Sequence, residues 1–237
     1  MKFNQYQVLT FDCYGTLVDW ETGILTALRP ILASHNVSLS DAAIIEAYGR
    51  FEAQLEAGTY RRYRDVLNGV VQQFGAEYGF TPTEAEANAL VASFGQWKPF
   101  PDTVPALQAL KRRFKLVILS NVDDDLFALT AKQLQIPFDD VITAQQVGSY
   151  KPSLRNFETA IARVGLPKEQ ILHVGASPYH DIVPAKSLGL AAVWVNRWQG
   201  KGGIGATAPT PAPPDLEVPD LTTLAALVEE NLGRSHP

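Results

Sequence analysis

Apolar runs of strand length recur along the chain, each closed by a polar residue or a glycine. Tyr6-Gln7-Val8-Leu9-Thr10-Phe11, Phe114-Lys115-Leu116-Val117-Ile118-Leu119, Gln170-Ile171-Leu172-His173-Val174 and Leu190-Ala191-Ala192-Val193-Trp194-Val195 read as buried strands. Asp140-Val141-Ile142-Thr143 adds a shorter one. Between them the pattern predicts helices over Val104 to Arg113, Asp124 to Leu134, Ser153 to Val164 and Pro178 to Leu188. Strands alternating with helices of this length predict a parallel sheet covered on both faces.

Residues Val18 to Trp97 break that rhythm. Helical patterns run over Leu25 to Ser34, Ser40 to Ala57, Tyr60 to Tyr78 and Thr83 to Phe94, with no convincing strand. Ser40 before Asp41, and Thr83 before Glu84 and Glu86, are good N-caps. The expected organisation is a core domain from 1–17 and 98–237, with residues 18–97 as an inserted helical cap over the sheet edge. Val18-Asp19-Trp20 and Trp97-Lys98-Pro99-Phe100-Pro101 would join the two. Gly200 to Pro214, rich in Gly, Pro, Ala and Thr, reads as a surface loop before a last short strand and a helix over Leu221 to Leu232.

Composition narrows the class. A hydrophobic share of 46% with 19% charged residues is that of a soluble globular protein. Net charge is −5 without a long basic run, which argues against nucleic acid or an anionic membrane as partner. The densest basic cluster, Tyr60-Arg61-Arg62-Tyr63-Arg64, reads mostly as a solvated helix face. No apolar run nears the ~20 residues that cross a bilayer, and Asp12 interrupts the only signal-peptide candidate. The single Cys13 excludes an internal disulfide, and no Cys/His cluster suggests zinc. The expected location is the cytoplasm. Cys13 adjoins Asp12, but strand neighbours point to opposite faces, so its own reading is a packed thiol.

The polar residues fall in one place. Asp12 and Thr16 follow the first strand, Ser120 and Asn121 the second. Ser149-Tyr150-Lys151-Pro152 follows the next, and Gly175-Ala176-Ser177-Pro178-Tyr179-His180-Asp181 the one ending at Val174. Each alone reads as a helix cap or a salt bridge. Together they line the edge where open α/β sheets bind ligands.

Phe11-Asp12-Cys13-Tyr14-Gly15-Thr16-Leu17, Leu119-Ser120-Asn121, Tyr150-Lys151-Pro152 and Val174 to Asp181, in that order, resemble the four motifs of the haloacid dehalogenase superfamily. The resemblance covers nearly the whole chain, weakening only at Gly200 to Pro214. It implies an α/β fold: a Rossmann-like parallel sheet core with an inserted all-helical cap domain, and a strand-end Asp nucleophile, here Asp12. Most members are magnesium-dependent phosphoryl-transfer enzymes with Asp-x-Asp in the first motif. Here Tyr14 stands where the second Asp would be, and its pKa near ~10 suits it poorly to that acid's work. Ala176 likewise replaces the motif Asp that ligates magnesium, a cation demanding near-ideal octahedral oxygens. A phosphatase is therefore not expected.

The first motif looks instead like that of the metal-free (S)-2-haloacid dehalogenases, which need no cofactor. That likeness implies that Asp12 displaces the halide to form an ester, which water then opens, so that covalent catalysis divides one hard step into two. It makes Lys151 the partner that keeps Asp12 ionised, Thr16 a hydrogen-bond donor to it, and Asp181 the residue orienting Lys151 and water. Arg50 matches by position the cap arginine that receives the halide. Asn121 would help hold the halide and Ser120 the substrate carboxylate. Tyr14 and Tyr60 would line the pocket with Cys13 nearby, and His180 would assist the water. Two departures stand out. Phe157 replaces a family tyrosine, and the stretch before Asp181 is one residue longer than the family's. They leave room for another leaving group, fluoride or the ring nitrogen of L-azetidine-2-carboxylate. The expected partner is a small carboxylic-acid substrate. Homodimers are common among the similar dehalogenases, but an apolar helix face reads equally as core or interface.

Overall fold

The computed structural model describes residues 1–199 and 213–233. Most of the expected surface loop, 200–212, lies outside the described residues. Strands β1 (Val8–Phe11), β2 (Lys115–Ser120), β3 (Asp140–Thr143), β4 (Ile171–Gly175), β5 (Ala191–Val195) and β6 (Leu216–Val218) form one sheet in the order β3-β2-β1-β4-β5-β6. Every neighbouring pair is parallel. The chain winds outward from β1 through β2 to β3, then crosses back to lay β4 on the other side of β1. That reversal opens a crevice at the C-terminal ends of β1 and β4, where this topology binds ligands.

Between β1 and β2 lie α1 (Trp20–Ser34), α2 (Asp41–Glu56), α3 (Tyr63–Tyr78), α4 (Glu84–Ala87) and α5 (Ala89–Ser93), with no strand among them. Side-chain caps set three of the starts. Asp19 accepts from the Thr22 amide, Ser40 from the Ala43 amide, and Thr83 with Glu86 forms a reciprocal capping box. The two connecting segments run side by side: the Asp19 amide donates to the Lys98 carbonyl at 2.9 Å and the Phe100 amide to the Leu17 carbonyl at 3.0 Å.

Helix α3 departs from expectation, beginning at Tyr63 rather than Tyr60. Its own N-cap residue, Arg62, makes no side-chain cap. Asp123, three residues beyond β2, caps it from the core by accepting the Tyr63 and Arg64 amides at 3.0 and 3.1 Å. Arg62 and Arg64 both ion-pair with Asp125, and the Tyr150 hydroxyl donates to the Arg61 carbonyl at 2.8 Å. The basic cluster is thus a joint between cap and core, not a solvated helix face. Chain tied to the core in this way leaves residues 60–62 outside the helix.

The core helices are α6 (Thr103–Lys111), α7 (Asp124–Leu134), α8 (Ala144–Val147), α9 (Leu154–Val164), α10 (Val183–Ser187) and α11 (Leu221–Gly233). Strand alternation divides their packing. Leu9, Phe11, Ile118 and Val174 join a core shared with α6, α7, α11 and the cap. Val8, Val117, Leu119 and Ile171 join another with α9 and α10. Thr10 and His173 point to that second side and are completely or almost completely buried.

Candidate active site

Asp12 follows β1 directly, and Gly15 turns the chain with φ +89°, a left-handed conformation that side chains rarely adopt. The turn brings Thr16 back onto the nucleophile candidate. Its hydroxyl donates to Asp12 Oδ2 at 2.6 Å and accepts the Ala176 amide at 2.8 Å. Arg197, which the sequence reading missed, braces the turn from behind β5. It donates to the Thr16 carbonyl through Nε at 3.0 Å and Nη2 at 2.6 Å, pairs with Asp102 and stacks on Phe100.

Lys151 enters from the loop after α8. Its ammonium lies between two carboxylates, 2.8 Å from Asp12 Oδ1 and 2.6 Å from Asp181 Oδ1. Asn121 fixes the lysine's main chain, accepting its amide at 2.7 Å and donating to its carbonyl at 3.0 Å. Asn121 thus positions the Lys151 loop. Asn156 pins the same loop by donating to the Ser149 carbonyl at 2.8 Å.

Asp181 reaches the cluster through an irregularity. Residues Pro178–Ile182 form a π-helical turn rather than the start of a regular helix. Such a turn absorbs an inserted residue and often marks a functional site. The Asp181 carboxylate then lies against the bare Cα of Gly175, where an added Cβ would stand 2.5 Å from Asp181 Cγ. Only glycine permits that approach. The Ser177 amide donates to Asp181 Oδ2 at 3.2 Å, and His173 Nε2 lies 3.3 Å from Oδ1.

Burial and charge set the protonation states. Desolvation raises the Asp12 pKa and the Asp181 charge adds to that, with Lys151 and Thr16 working against both. Desolvation also acts to raise Asp181, but Lys151 and His173 together outweigh it and hold that carboxyl well below its usual range. Burial opposes the Lys151 charge, yet the two carboxylates prevail and its pKa rises. Desolvation lowers His180 to about 4, so its ring is neutral at neutral pH.

The other expected residues divide. Ser120 is buried at the end of β2, and its hydroxyl has no hydrogen-bond partner among the described residues. The Tyr14 ring packs edge-on to Phe94 and Trp97, and its hydroxyl bonds Thr130 at 2.9 Å. The Tyr60 ring lies tilted beside Tyr150, with ring centroids 5.2 Å apart. Half-buried His180 bonds Ser177 through its ring and its amide. Cys13 does not line the pocket: it is a fully buried core thiol whose pKa burial pushes well up. Arg50 is not brought to the site either. Its guanidinium lies over the Phe51 ring and makes a bidentate pair with Glu77 at 2.7 and 2.8 Å on the exposed cap surface. Tyr48 and Phe51, three residues apart, share the inward face of α2, and Arg50, two residues after one and one before the other, falls off it.

A divalent cation finds a poor donor set here. Ala176 contributes no side-chain oxygen, Tyr14 is turned to Thr130, and Lys151 and Thr16 engage both Asp12 oxygens. Among the described residues no group of three or more His, Cys, Asp or Glu could hold a metal ion.

The model of the haloacid dehalogenase-like hydrolases matches residues 6–189. The chain belongs to that family. This hydrolase is 24% identical over 229 residues to haloacetate dehalogenase H-2 of Moraxella sp. (strain B), covering 94% of this chain and 97% of that one. A glyceraldehyde 3-phosphate phosphatase of Methanothermobacter thermautotrophicus is 31% identical over 150 residues, covering 60% and 63%. The crystal structure of a defluorinating L-2-haloacid dehalogenase superposes with a TM-score of 0.80 at 25% identity, covering 94% of this chain and 95% of that chain. The sheet with its helical cap is the fold of these dehalogenases. No helix among the described residues is long and apolar enough to cross a membrane.

Proposed function

We propose that this hydrolase converts short 2-haloalkanoic acids to 2-hydroxy acids through an ester on Asp12, without a metal. The observation carrying this reading is the Asp12–Lys151–Asp181 cluster at the crevice, with no second acid at Tyr14 or Ala176. Asp12 keeps 11% of its side chain exposed, so a substrate carbon can reach a carboxylate held ionised by Lys151. In the first step a carboxylate oxygen forms a bond to C2 while the carbon–halogen bond breaks and halide leaves with its electron pair. In the second, water adds to Asp12 Cγ, and cleavage of the acyl–oxygen bond releases the 2-hydroxy acid and a proton with C2 inverted. Asp181 orients the water, and neutral His180 lies beside it.

Charge balance explains the lysine. An anionic substrate ~4 Å from Asp12 would cost about 4 kcal/mol at an effective dielectric of ~20, roughly a thousandfold in rate. The free Ser120 hydroxyl suits the substrate carboxylate. Residues 18–97 act as a lid that excludes water during the first step.

Arg50's placement favours a second reading of the leaving group. With Arg50 on the cap surface, L-azetidine-2-carboxylate fits the same nucleophile, because its ring nitrogen departs needing a proton rather than a fixed cation. Halide release and acid production from L-2-chloropropionate, chloroacetate and fluoroacetate, with azetidine opening in parallel and chelator present, test both readings. Asp12→Asn must abolish turnover; retained hydrolysis would refute the mechanism. In H2(18)O, single turnover should place the label in Asp12 and not in the first product molecule.

A further inference from the structure

His173 lies in the middle of β4, completely buried, in a strand whose other side chains are apolar. It pairs in register with Thr10 of β1, the polar position of that strand. Thr10 Oγ1 lies 2.9 Å from His173 Nδ1, and His173 Nε2 lies 3.3 Å from Asp181 Oδ1. The Phe157 ring meets the imidazole edge-on at 5.0 Å and offers it no competing polar group. A hydrogen-bonded line therefore runs from the sheet interior through Thr10, His173, Asp181 and Lys151 to Asp12.

We propose that His173 is a positioning residue for the Asp12 reaction, whose Nε2–H fixes the Asp181 carboxylate and through it centres Lys151 on the nucleophile. The proposal rests on the Asp12 reading above. A carboxylate only accepts, so Nε2 carries the proton, and a Thr10 hydroxyl donating to Nδ1 selects that tautomer. The need for such a group follows from Gly175. On a strand, residues two apart share a face, so His173 stands immediately beneath the glycine against which Asp181 lies. The bare glycine gives Asp181 room but no lateral wall. Its other two donors, the Lys151 ammonium and the Ser177 amide, come from loop and turn. Among the described residues, His173 alone ties Asp181 to a central strand.

Three variants and one spectrum test this. His173→Phe keeps a ring of similar size and removes the donor, whereas His173→Gln restores an N–H at comparable reach. With L-2-chloropropionate or the substrate found above, His173→Phe should lower kcat by about 10–100-fold, as loss of a partner that orients a reacting group does, with KM changed by less than about threefold. His173→Gln should recover part of the loss at an equal melting temperature. Imidazole 15N spectra of the full chain, which need no substrate, should show the Nε2-protonated tautomer. That signal should move in Asp181→Asn. A His173→Phe kcat within about twofold of wild type, an Nδ1-protonated ring, or equal losses in both His173 variants tracking their melting temperatures would each overturn the proposal. An active Asp12→Asn enzyme would instead refute the nucleophile reading and take this inference with it, so the two failures are distinct.

Discussion

Asp12 leaves the end of β1 and Asp123 follows the end of the neighbouring β2, so two carboxylates emerge along the same sheet edge one strand apart. Both are buried, and sequence position alone gives them similar claims to function. Their partners differ. Asp123, with no exposed side-chain surface, accepts two main-chain amides of α3 and lies 3.6 Å from the Arg62 and Arg64 guanidinium groups. It holds the cap to the core and has no surface left to meet a substrate. Asp12 is held by one ammonium and one hydroxyl, and part of it stays open. A carboxylate saturated by a helix N-terminus serves as a joint, and one held by a lysine beside open space is placed to meet a ligand. Burial by itself does not tell them apart.

Lys151→Met attacks the reagent most directly and should have the largest effect. It leaves two buried carboxylates without their cation, a loss that typically costs about 3–5 kcal/mol, and it should abolish turnover. The pH dependence has a definite sign. Freed of Lys151, Asp12 and Asp181 should have folded pKa values raised by burial, so the folded state binds protons that the unfolded chain does not. Melting temperature of the variant should therefore rise as pH falls from neutrality toward the ordinary carboxylate range. A variant whose stability does not respond to pH would argue against the cluster.

Gly175→Ala should come next. Its Cβ would collide with Asp181, so the carboxylate must move, and kcat should fall by about a hundredfold or more, the order of loss that misplacement by ~1 Å brings. Full activity in this variant would separate Asp181 from the reaction.

Asp123→Ala sharpens the other half of the comparison. It orphans the buried Tyr63 amide and the part-buried Arg64 amide, at about 1–3 kcal/mol for each donor that stays dry, read as a lower melting temperature, while kcat stays within a few-fold of wild type. Collapse of kcat at a temperature where the variant remains folded would make the joint part of the chemistry.

The pH–rate profile is a smaller test. Because desolvation and Asp181 raise Asp12, the acid limb of kcat/KM should lie above the ordinary Asp value of ~3.9. Arg50→Ala should do least. Its exposed pair with Glu77 predicts unchanged melting and a kcat within about twofold of wild type. A large loss would show that Arg50 leaves Glu77 and reaches the site during turnover.

Much of this was legible in the chain. Short apolar runs closed by Asp12, Ser120 and Gly175 announced a parallel sheet and the edge where its chemistry gathers. The strand before the last helix and the caps at Ser40 and Thr83 formed where local signals placed them. Asp12, Thr16, Lys151 and Asp181 come together because each sits just beyond a strand, or in a loop feeding one, on the same side of the sheet. His173 and Thr10 were also readable in principle, as lone polar residues in otherwise apolar strands, but that pattern implies a partner without naming it.

Other features depended on distance in space. Arg50 matched a functional position by its place in the chain, yet helix periodicity and Glu77 turned it to the surface. Arg62 and Arg64 looked like solvated charges until Asp123 and Asp125, about sixty residues away, came to meet them. The π turn that delivers Asp181, and the absence of a side chain at Gly175 that admits it, become related only when β4 and the turn fold together. Periodicity and strand-end chemistry are local, so the sequence by itself determined the sheet, the helical insertion and the residues at the crevice. Hydrogen bonds and charges act through space, so only the tertiary structure decided which carboxylate is tied to the cap and which keeps open surface beside a lysine.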